Sequence, residues 1–145
     1  MSRVEQLSIF IENKAGRANA IFSRLNDANI NVLGYMISDT LDYGILRIVT
    51  ETPQKALRVL NEAGITAQVN EVLVAKLGGR AGDLHNFIRI LAEEEINMIY
   101  SYSLSSTYVI IRVDNIEEAQ DLMLARGIKL VNQEELDEFS NHQAD

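Results

Sequence analysis

Two stretches of the sequence decide its fold: KAGRANAIFSRLNDANINV at residues 14–32 and RAGDLHNFIRILAEEEINM at residues 80–98. Their glycines, Gly16 and Gly82, lie 66 positions apart, and apolar residues match at the same offset through both stretches. Further along the chain the offset falls to 65 and then to 63, as it would if the second copy had shorter connections. Self-similarity at a fixed period is the signature of a repeated structural unit. The 145 residues therefore predict two domains, residues 1–70 and residues 71–145, with a polar tail from about residue 137.

Each copy shows the pattern of a β-α-β-β-α-β unit. In the first copy Leu7, Ile9 and Ile11 alternate with other residues, which predicts a strand with one apolar face. A glycine turn and a helical apolar stripe follow, then a predicted hairpin, a second helix and a last short strand. This order predicts an α+β fold of two ferredoxin-like units, each an antiparallel sheet with both helices on one face.

The second helix of each copy has clear start signals. Thr52 is predicted to cap the helix in the first copy, with Pro53 at its first position. Asn115 and Glu118 form a capping box in the second copy. A glycine follows each helix and is predicted to end it.

The two copies are joined almost without a linker, since residues 65–69 and residues 72–77 both read as strands. Each unit leaves two sheet edges open, and exposed edges invite pairing. Side-by-side joining into one eight-stranded sheet is the expected arrangement. Two four-stranded sheets packed face to face is the alternative.

Composition and charge exclude several classes of protein. The chain has no cysteine, which excludes disulfides, thiolate metal sites and cysteine nucleophiles, and only His85 and His142 could serve a histidine site. A net charge of −8 argues against nucleic acid as a partner. No apolar run approaches the roughly 20 residues that span a bilayer, and no signal peptide opens the chain. A soluble cytoplasmic protein with no cofactor, no metal and no membrane partner is expected.

The alanine-glycine turn, followed at fixed spacing by isoleucine-asparagine, resembles the ACT domains, regulatory modules that bind amino acids. The resemblance covers both copies, about residues 3–136, although alanine replaces the family's usual proline before the glycine. The arrangement is similar to stand-alone paired ACT proteins, which implies a binding protein and not an enzyme. The residues that carry the resemblance are Lys14-Ala15-Gly16-Arg17-Ala18 with Asn29-Ile30-Asn31-Val32, and Arg80-Ala81-Gly82-Asp83-Leu84 with Glu95-Ile96-Asn97-Met98.

The turn suits the carboxylate of an amino acid, because the first N–H groups of the following helix are unpaired and sit at its positive end. Asn31, Asn97 or Asp83 could accept from the ammonium group. The resemblance implies that the ligand lies between ACT units, so that each turn faces the second strand of the other copy. The predicted ligand-binding residues are Asn13, Lys14, Ala15, Gly16, Arg17, Ala18, Asn31, Met36, Ser38, Arg80, Ala81, Gly82, Asp83, Leu84, Asn97, Tyr100 and Tyr102.

Three other functions compete with an amino acid sensor that forms a homodimer and regulates a partner enzyme. Acyl phosphate hydrolysis on this fold needs an arginine and an asparagine, which Arg17 and Asn31 could supply, but the longer glycine-rich loop is missing. Single-stranded nucleic acid could stack on Tyr100 and Tyr102. A pure oligomerisation module would keep only vestigial pockets. His85 is either a surface residue or a ligand contact.

Overall fold

The structure, a computed structural model, describes residues 3–12, 14–39, 43–105 and 107–136. The predicted order of elements is confirmed, with one change: the last strand of the first copy and the first strand of the second copy are one strand. Neither Asn70 nor Glu71, between the two predicted strands, is a residue that breaks a strand. The elements are β1 Val4–Glu12, α1 Arg17–Asp27, β2 Val32–Asp39, β3 Tyr43–Thr50, α2 Pro53–Glu62, β4 Ala67–Lys76, α3 Asp83–Glu93, β5 Met98–Ser103, β6 Tyr108–Val113, α4 Ile116–Ala125 and β7 Lys129–Val131.

The chain divides into two compact units. The first unit is residues 5–70, and the described part of the second unit is residues 71–136 together with residues 3 and 4. The Arg3 guanidinium donates to Gln120 Oε1 at 3.2 Å. It also lies 3.5 Å from a carboxylate oxygen of Glu71, so these contacts hold the first described residue on the second unit.

In the first unit the strands lie in the order β2-β3-β1-β4. Strand β1 pairs antiparallel with β3, with Leu7 opposite Ile48, and β2 pairs with the other side of β3. One face of this sheet and one side of each helix share a single core, so α1 and α2 cover the same face. The buried core residues are Leu7, Ile9, Ile21, Leu25, Ile30, Leu46, Ile48, Ala56 and Leu60.

In the second unit the strands lie in the order β7-β4-β6-β5. Strand β4 pairs antiparallel with β6, with Leu73 opposite Ile111, and Val74 on its other side faces Val131 of β7. Here β4, β5, β6 and β7 are equivalent to β1, β2, β3 and β4 of the first unit. Read in reverse, this order is therefore that of the first unit, which confirms two ferredoxin-like units. The buried core residues are Leu73, Ala75, Phe87, Leu91, Val109, Ile111, Val113, Ala119, Met123 and Leu130.

The polar face of β1 is buried, contrary to the predicted one-sided strand. Gln6 is fully buried and Ser8 is 7% exposed. The Ser8 hydroxyl donates to Asn70 Oδ1 at 2.7 Å, which offsets the cost of removing it from water. Alternation in the sequence identifies the apolar face of a strand, but the burial of its other face depends on tertiary contacts.

The predicted helix signals are confirmed except at Thr52. Pro53 opens α2, but the Thr52 side chain forms no capping hydrogen bond; instead its N–H donates to Thr50 Oγ1 at 3.3 Å. Asn115 caps α4 as predicted, because its side chain accepts from the Glu118 N–H at 3.1 Å.

Glu95 has a left-handed backbone, with φ at 55°. It follows α3 at the position where Asn29, with φ at 58°, follows α1. Asparagine tolerates this conformation because its short polar side chain bonds locally, whereas other residues with a Cβ pay roughly 1–2 kcal/mol for it. The second unit therefore carries backbone strain at Glu95 that the first unit avoids by having Asn29 at the equivalent position.

We expect Glu95→Asn to raise the free energy of unfolding by about 1 kcal/mol and the melting temperature by roughly 4 °C. Thermal unfolding measures both. Asn29→Glu is the matched control and should lower the melting temperature by a similar amount. A lower melting temperature for Glu95→Asn would contradict the strain.

Candidate functional site

The turn before α1 brings a glycine and two cations together. Gly16 has φ at 88°, a conformation that L side chains rarely adopt, and the Arg17 N–H donates to the Lys14 carbonyl at 3.2 Å. Among the described residues no side chain caps α1, and its first turn carries no acidic residue. The positive end of α1 is therefore open to an anion from outside the helix.

Glu12 lies beside both cations of this turn. Its Oε2 is 3.2 Å from the Lys14 ammonium and 3.6 Å from the Arg17 guanidinium. The hydrogen bond from Lys14, followed by the charges of Lys14 and Arg17, holds the pKa of the Glu12 carboxyl below its ordinary value. At neutral pH the cluster has two positive charges and one negative charge, so it presents both signs to a ligand.

A cavity of about 230 Å³ opens beside this cluster, within the first unit. Its walls come from the end of β1, the first turns of α1 and the connection between α2 and β4. Arg17 and Glu12 are the charged residues of its lining, and most of the other lining residues are apolar. The cavity is lined by Phe10, Ile11, Glu12, Arg17, Ala20, Ile21, Gly64, Ile65 and Thr66.

The turn before α3 has the same backbone and a different charge pattern. Gly82 has φ at 91°, and the Asp83 N–H donates to the Arg80 carbonyl at 3.1 Å. The Asp83 carboxylate folds back over the turn, where its Oδ2 accepts from the Arg80 N–H at 2.9 Å. The predicted role of Asp83 as an ammonium acceptor thus competes with a contact inside the turn.

A second cavity, of about 200 Å³, occupies the equivalent place in the second unit. Its lining residues follow those of the first cavity at offsets of 66, 66 and 63, as Lys76, Asp83 and Gly127 follow Phe10, Arg17 and Gly64. The two units therefore share a cavity at equivalent positions as well as a turn. The lining residues are Lys76, Leu77, Gly78, Asp83, Asn86, Phe87, Ile90, Arg126, Gly127, Ile128 and Lys129.

The predicted specificity residues lie on the outer strands, β2 and β5. Ser38 accepts from the Arg47 guanidinium at 3.1 Å, and Met36 lies opposite Arg47 in the pairing of β2 with β3. Tyr100 and Tyr102 stack, with ring centroids 6.4 Å apart. In both units these residues alternate with those that face the core, so they lie on the sheet face away from the helices.

The two asparagines do not join the turns of their own units. Asn31 follows α1 and Gly16 precedes it, and a helix of 11 residues separates them by roughly 16 Å. The Asn31 side chain instead donates to Glu51 Oε1 at 3.1 Å. Asn97 occupies the same position after α3, which lies between it and Gly82. The pairing of Arg17 with Asn31 that acyl phosphate hydrolysis requires is therefore absent within the described first unit.

The remaining predicted residues fall on the turns or outside the described part. Ala15 and Ala81 are exposed within the two turns, whereas Ala18 is half-buried. Leu84 is exposed on α3. Asn13 and His142 lie outside the described residues. His85 is exposed on α3.

Glu12 was not among the residues predicted from the sequence, although it lies beside Lys14 and Arg17. The signal for it was present, because a carboxylate at the end of a strand and an arginine five residues later flank a tight turn. Comparison of the two copies does not reveal this pattern, because the second copy has Gly78 and Asp83 at the equivalent positions. In the described ranges no group of three or more acidic or histidine side chains could hold a metal ion. None of the described helices is long and apolar enough to cross a membrane.

Comparison with known protein families shows the family of the chain. The model of the ACT domain pair matches residues 2–140. The chain belongs to the ACT domain pair family. Membership assigns to this ACT domain pair a regulatory, ligand-binding role.

Solved structures share the fold of this ACT domain pair. Protein BT0572 from Bacteroides thetaiotaomicron is 28% identical, with a TM-score of 0.84 over 90% of this chain and 92% of that one. The regulatory subunit of aspartate kinase from Thermus thermophilus is 16% identical, with a TM-score of 0.63 over 88% and 92%. The aspartokinase alpha and beta subunits are 22% identical, with a TM-score of 0.55 over 84% and 90%. No curated protein matches the chain.

Proposed function

We propose that this ACT domain pair is a cytoplasmic sensor that binds a free amino acid at the turn before α1. The carboxylate of an amino acid needs a cationic partner, which Arg17 and the first N–H groups of α1 supply. Its ammonium group needs an acceptor, which Glu12 supplies. The observation that carries the proposal is the placement of Glu12 and Arg17, 3.6 Å apart, in the lining of one cavity.

The first cavity also limits the size and polarity of the amino acid. Its volume of about 230 Å³ is below the roughly 300 Å³ at which pockets for drug-sized ligands begin. Ile11, Ile21 and Ile65 form apolar walls around the charged edge. These dimensions favour an amino acid with a small or aliphatic side chain.

The remaining ligand contacts come, as the resemblance implies, from the outer strand of another ACT unit. Met36, Ser38, Tyr100 and Tyr102 are the residues proposed for that contact. A ligand that bridges two units stabilises the arrangement it bridges. Binding is therefore proposed to change how the chain associates with a second copy of itself or with a regulated enzyme, and the reverse coupling must hold equally.

An oligomerisation module without a ligand is the second candidate function, and exposed apolar side chains favour it. On β2, Tyr35 is 58% exposed and Ile37 is 45% exposed. Tyr35 packs edge-on against Phe22 of α1, with ring centroids 5.6 Å apart. These residues form an apolar strip at the edge of the first unit, where a second chain could pack.

A thermal-shift screen of the twenty amino acids tests the two candidates. At 100 times its dissociation constant the bound amino acid should stabilise the chain by about 2.7 kcal/mol, which is a rise of roughly 5–10 °C. Arg17→Ala should remove this shift, whereas Arg24→Ala, at the other end of α1, should keep it. A dimer that shows no shift with any amino acid at millimolar concentration would leave the oligomerisation module as the function.

A further inference from the structure

We infer that Asp83 closes the turn before α3 to carboxylate ligands, so that the chain binds a single amino acid, at the turn before α1. The inference rests on the proposed function for the identity of the ligand. The closure itself rests on contacts within the second unit alone.

The Asp83 carboxylate lies over the turn before α3 and takes up one of its backbone donors. Its Oδ2 accepts from the Arg80 N–H at 2.9 Å, a backbone donor on the loop before the helix. It also places a negative charge in the first turn of α3, where it is stabilised by the positive end of that helix. A ligand carboxylate would have to displace this side chain and its hydrogen bond.

Gly78 makes room for this closure. A Cβ at position 78 would lie 2.5 Å from Asp83 Oδ2, so any other residue there would require the carboxylate to shift from its present position. The equivalent residue of the first unit is Glu12, which has a side chain. The first unit thus has its carboxylate, Glu12, at the end of the strand and Arg17 at the start of the helix. The second unit has Gly78 at the end of the strand and its carboxylate, Asp83, at the start of the helix.

The net charge of the turn residues also differs between the two units. Lys14 and Arg17 outnumber Glu12 at the first turn, whereas Arg80 at the second turn is balanced by Asp83. An added carboxylate therefore meets a net positive cluster at the first turn. At the second turn it meets the Asp83 carboxylate, a like charge that disfavours binding beside it, whereas Lys76, Arg126 and Lys129 line the adjoining cavity.

Titration calorimetry on the full chain tests the inference with the amino acid that gives the largest thermal shift among the twenty. The wild type should bind one molecule per chain, and Arg17→Ala should bind none. The double variant Gly78→Glu/Asp83→Arg copies the charges of the first turn and should bind two. Asp121→Ala, which deletes an exposed carboxylate on α4, should still bind one.

Three results would overturn the inference: two molecules bound to the wild type, one bound to the double variant, or one bound to Arg17→Ala. Failure of the proposed function is distinguishable, because no amino acid would then bind the wild type. In that case hydrogen exchange at the Arg80 N–H decides the closure. Protection in the wild type that Asp83→Ala removes supports a closed turn, and an unprotected Arg80 N–H refutes it.

Discussion

Gly16→Val is expected to weaken amino acid binding about 10- to 100-fold while the chain stays folded. Gly16 has φ at 88°, which a β-branched residue does not adopt, so the turn must change shape. A changed turn misaligns the helix N–H groups and Arg17 with the ligand carboxylate. Hydrogen bonds to charged groups contribute roughly 1.5–3 kcal/mol each, and each 1.4 kcal/mol is about tenfold in affinity. Calorimetry with the amino acid chosen by thermal shift measures the change.

Gly127→Val separates the loss of binding from backbone strain. Gly127 has φ at 79° after α4, and no described atom lies within 4 Å of a Cβ built on it or on Gly16. Both variants should therefore lose stability by comparable amounts, roughly 1–2 kcal/mol or more. Only Gly16→Val should lose affinity. Equal affinity in the two variants would place the ligand away from the turn before α1.

Phe87→Ala is expected to lower the free energy of unfolding by about 3–5 kcal/mol, the largest stability effect that we predict. Phe87 is 1% exposed and lies in the core of the second unit, between α3 and the sheet. Its removal leaves a cavity that the surrounding side chains fill only in part. Because whole domains are stable by only about 5–15 kcal/mol, a large part of the native stability would be lost. Urea unfolding measures the change.

Leu84→Ala is the matched control for the core variant. Leu84 lies on the same helix, three residues earlier, and is 54% exposed. Its truncation should change the stability by at most about 0.5 kcal/mol. Comparable losses in the two variants would mean that burial on α3 differs from the structure described here.

The fold could be predicted because the features that determine it are local in the sequence. Gly16 and Gly82 mark the two turns, the apolar stripes define the helices, and the repeat identifies equivalent elements. The errors depend on tertiary structure: the Thr52 side chain forms no capping hydrogen bond, and Ser8 is buried although its residue type favours the surface.

The candidate site could be predicted only in part. The two glycine turns could be predicted because a tight turn before a helix is visible as a short motif, and the ligand contact of Arg17 stays a prediction. Asn31 and Asn97 are separated from the turns of their own units by a helix of roughly 16 Å, and their roles as ammonium acceptors stay predictions. Glu12 was missed because its role depends on the side chains of Lys14 and Arg17 converging on it.

The sequence by itself determined the repeat, the order of elements in each unit and the two left-handed glycine turns, since these depend on residue type and on neighbours along the chain. Tertiary structure alone decided which charges meet at each turn. Glu12 joins Lys14 and Arg17 beside an open cavity, while Asp83 folds onto the Arg80 N–H because Gly78 leaves it space. Two turns of nearly the same sequence pattern therefore carry differently placed carboxylates, Glu12 at the end of the strand and Asp83 at the start of the helix.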